Sequence, residues 1–160
     1  MKPYYQDDYC TIYHGDCRKI LPSLEPVDLV LTSPPYDNLR TYGGCDWNFD
    51  IFKEIATKLE KQLKIGAVIV WVVGDATING SETGTSFKQA LYFKDIGLNL
   101  HDTMIYQKDN PPPTGGNNRY YQHFEYMFIF SKDILKTFNP ITSERRNKWQ
   151  DKRTNRIKAF

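Results

Sequence analysis

The feature that most constrains the fold is an apolar run that stops at a pair of prolines. Residues 27–32 read Val-Asp-Leu-Val-Leu-Thr, and Ser33-Pro34-Pro35-Tyr36 follows directly. A short, nearly continuous apolar run is typical of a strand buried on both faces. Two prolines remove two backbone donors and fix φ, so the strand must end there. We therefore predict a buried strand whose loop lies at the carboxyl edge of a sheet, where open α/β folds bind ligands.

This loop offers the groups that an exocyclic amine on a flat ring requires. Such an amine is a poor nucleophile, because its lone pair is delocalised into the ring. The Ser33 hydroxyl and the Pro34 carbonyl are two acceptors that can hold its hydrogens and favour a tetrahedral nitrogen. The Tyr36 ring can stack on a base that has left the duplex. The alternative is a plain turn that closes a strand, which is the commoner use of a Ser-Pro pair.

A second motif lies upstream, at Gly15-Asp16-Cys17. Together with the segment from Asp28 to Tyr36, it resembles the amino-methyltransferases that modify adenine N6 or cytosine N4 in DNA. The resemblance implies that the catalytic motif is Ser33, Pro34, Pro35 and Tyr36, that the cofactor is S-adenosylmethionine and that the partner is DNA. It also implies a cofactor-binding set of Gly15, Asp16, Cys17 and Ser33, in which Asp16 faces the cofactor adenine. Without the resemblance, Gly15-Asp16 would be read as a helix cap.

The chain departs from this family in one respect. Members with this motif order continue to a glycine-rich segment that holds the methionine part of S-adenosylmethionine, and the 160 residues contain no such segment. The pairs Gly43-Gly44 and Gly115-Gly116 do not follow predicted strands, so neither replaces it. The chain thus resembles the amino-terminal catalytic half of a methyltransferase. Because the missing strand would leave an apolar edge, we expect a second polypeptide that supplies the glycine-rich loop, or a homodimer.

Strand and helix patterns alternate along the chain, which favours an α/β fold. Combined with the resemblance, they predict a Rossmann-like methyltransferase sheet, mostly parallel with an antiparallel terminal strand and apparently incomplete. Strands are predicted at 9–14, 27–32, 67–73, 100–106 and 123–130. Helices are predicted at 18–21, from Asp50 to a stop at Gly66, and at 87–96. The last strand, from His123, resembles the His-Glu-Tyr strand of the family, and we expect its aromatic residues mainly to pack in the core.

Composition agrees with one α/β domain without a membrane segment. No apolar stretch reaches 18 residues, and residues 1–8 lack the apolar core of a secretory signal. Cys10, Cys17 and Cys45 lack metal-ligand spacing, so we expect reduced thiols, no metal and a cytoplasmic location.

Charge divides the chain into two parts. The net charge is +2, yet residues 143–160 hold seven Lys and Arg against two Asp and Glu. We therefore expect a catalytic domain or half-domain at 1–138 and a basic tail at 139–160, the tail either binding phosphates or remaining solvated. A serine at the first motif position favours cytosine N4 as the target by resemblance, with adenine N6 as the alternative.

A third alternative is a non-catalytic nucleic-acid-binding module, built on the basic tail and the aromatic strand. Other classes lack support in the sequence. There is no phosphate-binding Gly-x-x-x-x-Gly-Lys or Gly-x-Gly-x-x-Gly motif, and no Gly-x-Ser-x-Gly hydrolase elbow.

Overall fold

The computed structural model describes residues 2–36, 47–110 and 119–141. The described elements are two helices of more than two turns, one short helix and eight strands. A single 3₁₀ turn, Leu21–Ser23, follows the short helix. In chain order the elements are β1 Tyr5–Gln6, β2 Thr11–Ile12, α1 Cys17–Ile20, β3 Val27–Thr32, α2 Phe49–Gln62, β4 Leu63–Val73, β5 Thr77–Ile78, β6 Ser81–Glu82, α3 Thr85–Asp95, β7 Asn99–Gln107 and β8 Phe124–Ser131.

Four strands form the main sheet, in the order β3-β4-β8-β7. β3 and β4 are parallel, and β8 runs antiparallel to both of its neighbours, β4 and β7. Three strands therefore share one direction, and the last strand in the sequence opposes them. This confirms the prediction of a sheet with one antiparallel strand, and it places that strand between β4 and β7. The carboxyl ends of β3, β4 and β7 and the amino end of β8 consequently meet at one end of the sheet.

The core lies on one face of this sheet, beneath α2 and α3. Trp71 of β4 and Phe130 of β8 are almost completely buried, as are Phe52 of α2 and Phe93 of α3. The Phe93 ring lies 5.3 Å from the Phe52 ring and 5.1 Å from the Trp71 ring, both edge to face. This geometry favours aromatic pairs beyond the area they bury. The prediction that the aromatic side chains of β8 pack in the core is confirmed for Phe128 and Phe130.

The opposite face of the sheet is apolar but open at β3. Leu29 and Leu31 are 57% and 68% exposed, although both lie in the predicted buried strand. Cross-strand register places them beside partly buried side chains of the central strands. We call this surface the open face and define it by its apolar residues: Leu29, Leu31, Val68, Val70, Val72, Met127 and Ile129.

β3 is also the first strand of the sheet, and among the described residues no strand pairs with its outer edge. The expectation of an open apolar strand edge is thereby confirmed. The open face adjoins this edge, so among the described residues β3 has both an unpaired backbone edge and an uncovered apolar face.

The predicted first strand at 9–14 is wrong as a member of the main sheet. Only Thr11–Ile12 is extended, and it pairs with Tyr5–Gln6 in a separate two-stranded hairpin. The Asp7 carboxylate accepts hydrogen bonds from the backbone N of Tyr9 and of Cys10, at 2.8 and 2.7 Å. An aspartate that binds its own following backbone in this way forms a tight turn. The turn folds this segment back on itself, away from the sheet.

The predicted limits of α2 are also wrong. Asn48 is the N-cap, because its side chain accepts from the backbone N of Asp50 and of Ile51, so the helix begins one residue before Asp50. The helix ends at Gln62, and Leu63 is already extended and begins β4. Gly66 therefore lies inside a strand. Its φ of +79° favours glycine, and its N–H donates to the Lys132 carbonyl at 2.6 Å.

The remaining predicted elements agree with the structure to within a few residues. The segment between β4 and α3 contains the small hairpin of β5 and β6. Residues 37–46, the Pro-rich segment 111–118 and the basic tail from residue 142 lie outside the described residues. In the described part of the chain, no helix has the length and apolar character needed to cross a bilayer.

Candidate active site

The Ser33-Pro34-Pro35-Tyr36 loop lies at the end of the sheet where four strands converge. It follows β3 directly, and Gly74 follows β4. Lys108 follows β7, and its N–H donates to the His123 carbonyl just before β8 at 2.7 Å. The sheet topology thus brings the loop together with residues 40 to 90 positions further along the chain.

A chain of hydrogen bonds connects the loop to β8 and β7. The Ser33 hydroxyl and the Tyr36 hydroxyl are 2.8 Å apart. The Tyr36 hydroxyl donates to Glu125 Oε2 at 2.9 Å, and Glu125 Oε1 pairs with the Lys108 ammonium. The Glu125 side chain is 14% exposed. The tyrosine is therefore held at its hydroxyl by an anion on a neighbouring strand.

The Tyr36 ring lies close to the backbone at the end of β4. A β-carbon built on Gly74 would be 3.6 Å from Cδ2 and Cε2 of the ring and 3.7 Å from Cγ of Glu125. These are ordinary packing distances, so Gly74 gives the ring room without being required for it. The ring also packs against the hydrophobic core at its rim.

A cleft of about 340 Å³ borders the loop. This volume falls within the range of small-molecule sites. Its walls are mostly apolar, and the lining residues with polar side chains include Ser33, Thr32 and Cys17. The lining residues come from α1, β3, the loop, α2 and β4: Cys17, Leu21, Val30, Thr32, Ser33, Pro34, Pro35, Trp47, Ile55, Leu59 and Trp71.

One wall of the cleft carries a buried donor that lacks an acceptor. Trp47 Nε1 is buried and has no hydrogen-bond partner among the described residues. In that part of the chain it is the sole buried side-chain nitrogen or oxygen without one. Buried donors are nearly always satisfied, so Trp47 Nε1 is an exception among the described residues.

Asp16 forms the N-cap of α1, as the helix-cap interpretation predicts. Its Oδ1 accepts from the Arg18 backbone N at 2.9 Å, and the Arg18 guanidinium binds both carboxylate oxygens at 2.7 to 3.1 Å. These hydrogen bonds from Arg18 lower the pKa of the Asp16 carboxyl to about 2. Gly15 precedes it with a φ of +150°. In this structure the Asp16 oxygens are engaged by Arg18, and neither Gly15 nor Asp16 lines the cleft.

Cys17 connects the upstream motif to the loop, because its side chain lines the same cleft as Ser33, Pro34 and Pro35. Desolvation and the neighbouring Asp16 carboxylate raise the pKa of the Cys17 thiol. The thiol is therefore largely protonated at neutral pH, which suits a binding wall better than a nucleophile.

Asp75 follows Gly74 at the end of β4 but has a structural role. It is 4% exposed, and its Oδ1 accepts from the Ser86 backbone N at 2.9 Å in the first turn of α3. Its Oδ2 accepts from the Ser86 hydroxyl. The carboxylate thus fixes the start of α3 against the sheet. Across the described ranges, no group of three His, Cys, Asp or Glu residues is placed to hold a metal ion.

Three residues of the site were not found from the sequence: Glu125, Lys108 and Trp47. Glu125 carries the clearest signal, since it is a lone charge in the aromatic strand from His123 to Phe130. An ionisable residue within such a strand is seldom buried without a partner. Its partner lies 89 positions earlier, so sequence spacing could not identify it.

Comparison with known proteins gives the family. The N6/N4 model, described as DNA methylase, matches residues 27–159. This is most of the chain and includes both β3 and the Ser33-Pro34-Pro35-Tyr36 loop. The chain belongs to the N6/N4 DNA methylase family.

Individual relatives agree with this assignment. The chain is 56% identical over 135 residues to the orphan methyltransferase M.BamHII of Bacillus amyloliquefaciens, covering 84% of this chain and 46% of the relative. It is 25% identical over 167 residues to the type II methyltransferase M.SmaI of Serratia marcescens, covering 77% of this chain and 56% of the relative. The chain therefore spans about half the length of these curated relatives.

Solved structures show the same fold. The PvuII DNA methyltransferase, titled cytosine-N4-specific, superposes with a TM-score of 0.67 at 22% identity, covering 84% of this chain and 53% of that chain. M1.HpyAVI superposes with a TM-score of 0.62 at 22% identity, covering 83% and 61%. These structures have the α/β fold of methyltransferases that use S-adenosylmethionine, which confirms the predicted fold class.

Proposed function

We propose that this chain carries the catalytic loop of a DNA amino-methyltransferase, which transfers a methyl group from S-adenosylmethionine to the exocyclic amine of a flipped base. The observation that carries the proposal is the position of the Ser33 hydroxyl. It lies on the wall of the cleft, at the carboxyl end of β3, and is held by Tyr36. Membership of the DNA methylase family supports it.

The residues of the loop suit the chemistry of an amine. Ser33 Oγ and the Pro34 carbonyl accept hydrogen bonds from the two N–H groups of the amine. These bonds favour a tetrahedral nitrogen, whose lone pair is no longer delocalised into the ring. Tyr36 supplies an aromatic surface that offsets part of the cost of unstacking the base, a few kcal/mol. When bound, S-adenosylmethionine supplies a methyl group activated by a sulfonium. The loop would contribute chiefly orientation and proximity. As the nitrogen–carbon bond forms, the carbon–sulfur bond breaks to leave a neutral thioether, and the proton lost from the nitrogen passes to water.

The cleft has the size of a small-molecule site, and its mostly apolar lining suits the adenine ring of the cofactor. Solved structures of the same fold include complexes with S-adenosylmethionine, which supports this compound as the cofactor. We propose that Cys17 and Ser33 contact it within the cleft and that Gly15 and Asp16 shape the start of α1 beside it.

We favour cytosine N4 as the target, with adenine N6 as the alternative. The support is the Ser33 hydroxyl. It is a weaker hydrogen-bond acceptor than the aspartate carboxylate at this position in many adenine N6 enzymes of the family that the sequence resembles. The experiment is transfer of a labelled methyl group from S-adenosylmethionine to DNA containing both bases, followed by nucleoside analysis. With the polypeptide that completes the cofactor site present, we expect N4-methylcytosine with wild type and none with Ser33→Ala. N6-methyladenine alone would overturn the choice of base.

The non-catalytic nucleic-acid-binding module makes the opposite prediction in the same experiment. It requires DNA binding that depends on salt and is unchanged by Ser33→Ala, with no affinity for S-adenosylmethionine and no transfer. That combination of results would replace the enzymatic proposal.

We further propose that a second polypeptide completes the cofactor site by docking on β3. The unpaired edge of β3 and the adjoining open face support a partner that adds a parallel strand and an apolar layer. That partner would supply the glycine-rich loop that residues 1–160 do not contain. We also propose that DNA is the substrate and that the protein acts in the cytoplasm.

The test uses the part of M.BamHII that this chain does not match, expressed as a separate polypeptide. We expect a one-to-one complex by analytical ultracentrifugation and binding of S-adenosylmethionine that neither part shows alone. A stable homodimer of the 160-residue chain, or cofactor binding by its monomer, would overturn the proposed partner.

A further inference from the structure

Glu125 lies outside the residues that the sequence assigns to the site, yet it is bonded to their centre. Its carboxylate bridges the Tyr36 hydroxyl and the Lys108 ammonium, and its side chain is 14% exposed. Ser33, Tyr36, Glu125 and Lys108 thus form one chain of contacts across β3, β8 and β7. Charge-assisted hydrogen bonds of this kind are shorter and stronger than neutral ones.

The chain of hydrogen bonds has a direction that the carboxylate imposes. A carboxylate is an acceptor only, so the single hydrogen of the Tyr36 hydroxyl points to Glu125. The bond between Tyr36 and Ser33 then requires Ser33 to donate and Tyr36 to accept. The Ser33 hydrogen is consequently directed to Tyr36, and only lone pairs of Ser33 Oγ face outward.

Outward lone pairs are the form of Ser33 that an amine substrate needs. If Tyr36 donated to Ser33 instead, the Ser33 hydrogen would turn outward and meet the hydrogens of the amine. We infer that Glu125 is a positioning residue, which acts through Tyr36 to keep Ser33 Oγ an acceptor toward the amine. This inference rests on the proposed function, and it adds a residue that the loop motif does not include.

Lys108 has a supporting place in this arrangement. Its ammonium contacts Glu125 Oε1, while Tyr36 contacts Oε2. The lysine therefore compensates the charge of a carboxylate that is mostly out of contact with water. The backbone of Lys108 is also held in place, because its N–H donates to the His123 carbonyl at 2.7 Å.

The decisive variant is Glu125→Gln, which keeps shape and removes the charge. A glutamine amide can donate to the Tyr36 oxygen, so the tyrosine hydrogen is free to turn to Ser33. We expect single-turnover methyl transfer to fall about tenfold, which corresponds to a loss of about 1.4 kcal/mol of transition-state stabilisation. DNA affinity should stay within about twofold, because the substitution removes no cation or donor that would bind a phosphate. Glu25→Gln, at an exposed site before β3, is the matched control.

A double-mutant cycle tests whether Glu125 acts through Tyr36. In a Tyr36→Phe background the relay is already broken, so adding Glu125→Gln should change the transfer rate less than twofold. Independent losses that multiply in the double variant would overturn the inference. So would equal losses of transfer and of DNA affinity in Glu125→Gln, which would indicate a general structural role. The assay uses the 160-residue chain, with the completing polypeptide where transfer requires it.

A second measurement does not depend on activity. Protein labelled with ¹³C at tyrosine Cζ gives a Tyr36 resonance, assigned by its loss in Tyr36→Phe. We expect Glu125→Gln to move this resonance and Glu25→Gln to leave it in place. An unmoved Tyr36 resonance in Glu125→Gln would overturn the inference. Absence of transfer in every protein, wild type included, would instead overturn the proposed function, and the NMR comparison would still show whether Glu125 orients Tyr36.

Discussion

Cys17 and Ser33 belong to separate sequence motifs, and their side chains line the same cleft. The Cys17 thiol lies at the start of α1, whereas Ser33 follows β3. In this structure the cysteine of the upstream motif lines the cleft, whereas the Asp16 carboxylate is bonded to Arg18. This relationship makes Cys17 a chemical probe of the cleft.

We predict that S-adenosylmethionine protects Cys17 from alkylation in the complex of this chain with the unmatched part of M.BamHII. The comparison uses one protein that keeps Cys17 and one that keeps Cys10, with the other two cysteines replaced by serine in each. The thiolate is the reactive form, and the pKa of Cys17 is raised, so its alkylation should be slower at pH 7 than that of free cysteine and should accelerate as pH rises. Mass spectrometry measures both rates. Equal protection of the two cysteines, or none of either, would contradict a ligand in this cleft.

Asp16 should stabilise the fold in a pH-dependent manner. Its pKa is lowered to about 2 by Arg18, so its stabilising contribution is present above the ordinary pKa of about 3.9 and is lost as pH falls toward 2. Urea unfolding of wild type and Asp16→Asn should therefore differ most above pH 4 and converge as the pH is lowered. Asparagine keeps the helix cap, whereas Asp16→Ala removes cap and charge together. A difference that grows toward low pH would show that the ion pair with Arg18 is not its source.

Tyr36→Ala should reduce methyl transfer far more than it reduces DNA binding. The variant loses both the stacking surface, worth about 1–3 kcal/mol per base, and the hydroxyl bonded to Ser33 and Glu125. Single-turnover transfer and fluorescence anisotropy with duplex DNA give the two quantities, and Tyr120→Ala, at a 98% exposed tyrosine, is the control. Parallel losses of transfer and binding would place Tyr36 in the DNA interface instead.

Elements whose determinants are local were predicted closely. The apolar run and its two prolines fix the bounds of β3 at Val27–Thr32, as predicted. The failures have identifiable causes. Asp7 forms a turn that diverts residues 9–14 from the sheet, and Gly66 is required by a positive φ within a strand, a use that sequence does not distinguish from a helix stop.

The site residues divide in the same way, into those placed by local sequence and those placed by contacts between distant strands. Ser33, Pro34, Pro35 and Cys17 line one cleft, because β3 and the short helix α1 place them there. Glu125 could not be assigned, since its contact with Tyr36 depends on β8 lying beside β4. Cross-sheet pairings of this length follow from topology and are not visible in local spacing.

Gln89→Leu should destabilise the fold without touching the cleft loop. Gln89 is 1% exposed, and its Oε1 accepts from Trp71 Nε1 at 2.8 Å. Leucine would leave the indole N–H buried without an acceptor, at a cost of about 1–3 kcal/mol. Urea unfolding measures the loss, and the same substitution at the partly exposed Gln122 is the control. Equal stability of Gln89→Leu and wild type would mean that the indole finds another acceptor.

Leu31→Lys should separate docking at β3 from the stability of the chain itself. Leu31 is 68% exposed on the open face, so the lysine adds little strain, and the free energy of unfolding should change by no more than about 0.5 kcal/mol. A lysine at an edge strand opposes pairing with a further strand. Sedimentation of the chain with the unmatched part of M.BamHII should therefore show association with wild type and much weaker association with Leu31→Lys. Leu91→Lys, at a leucine of similar exposure on α3, should associate as wild type does. Equal association of all three proteins would move the docking surface away from β3, and a loss with Leu91→Lys alone would move it to α3.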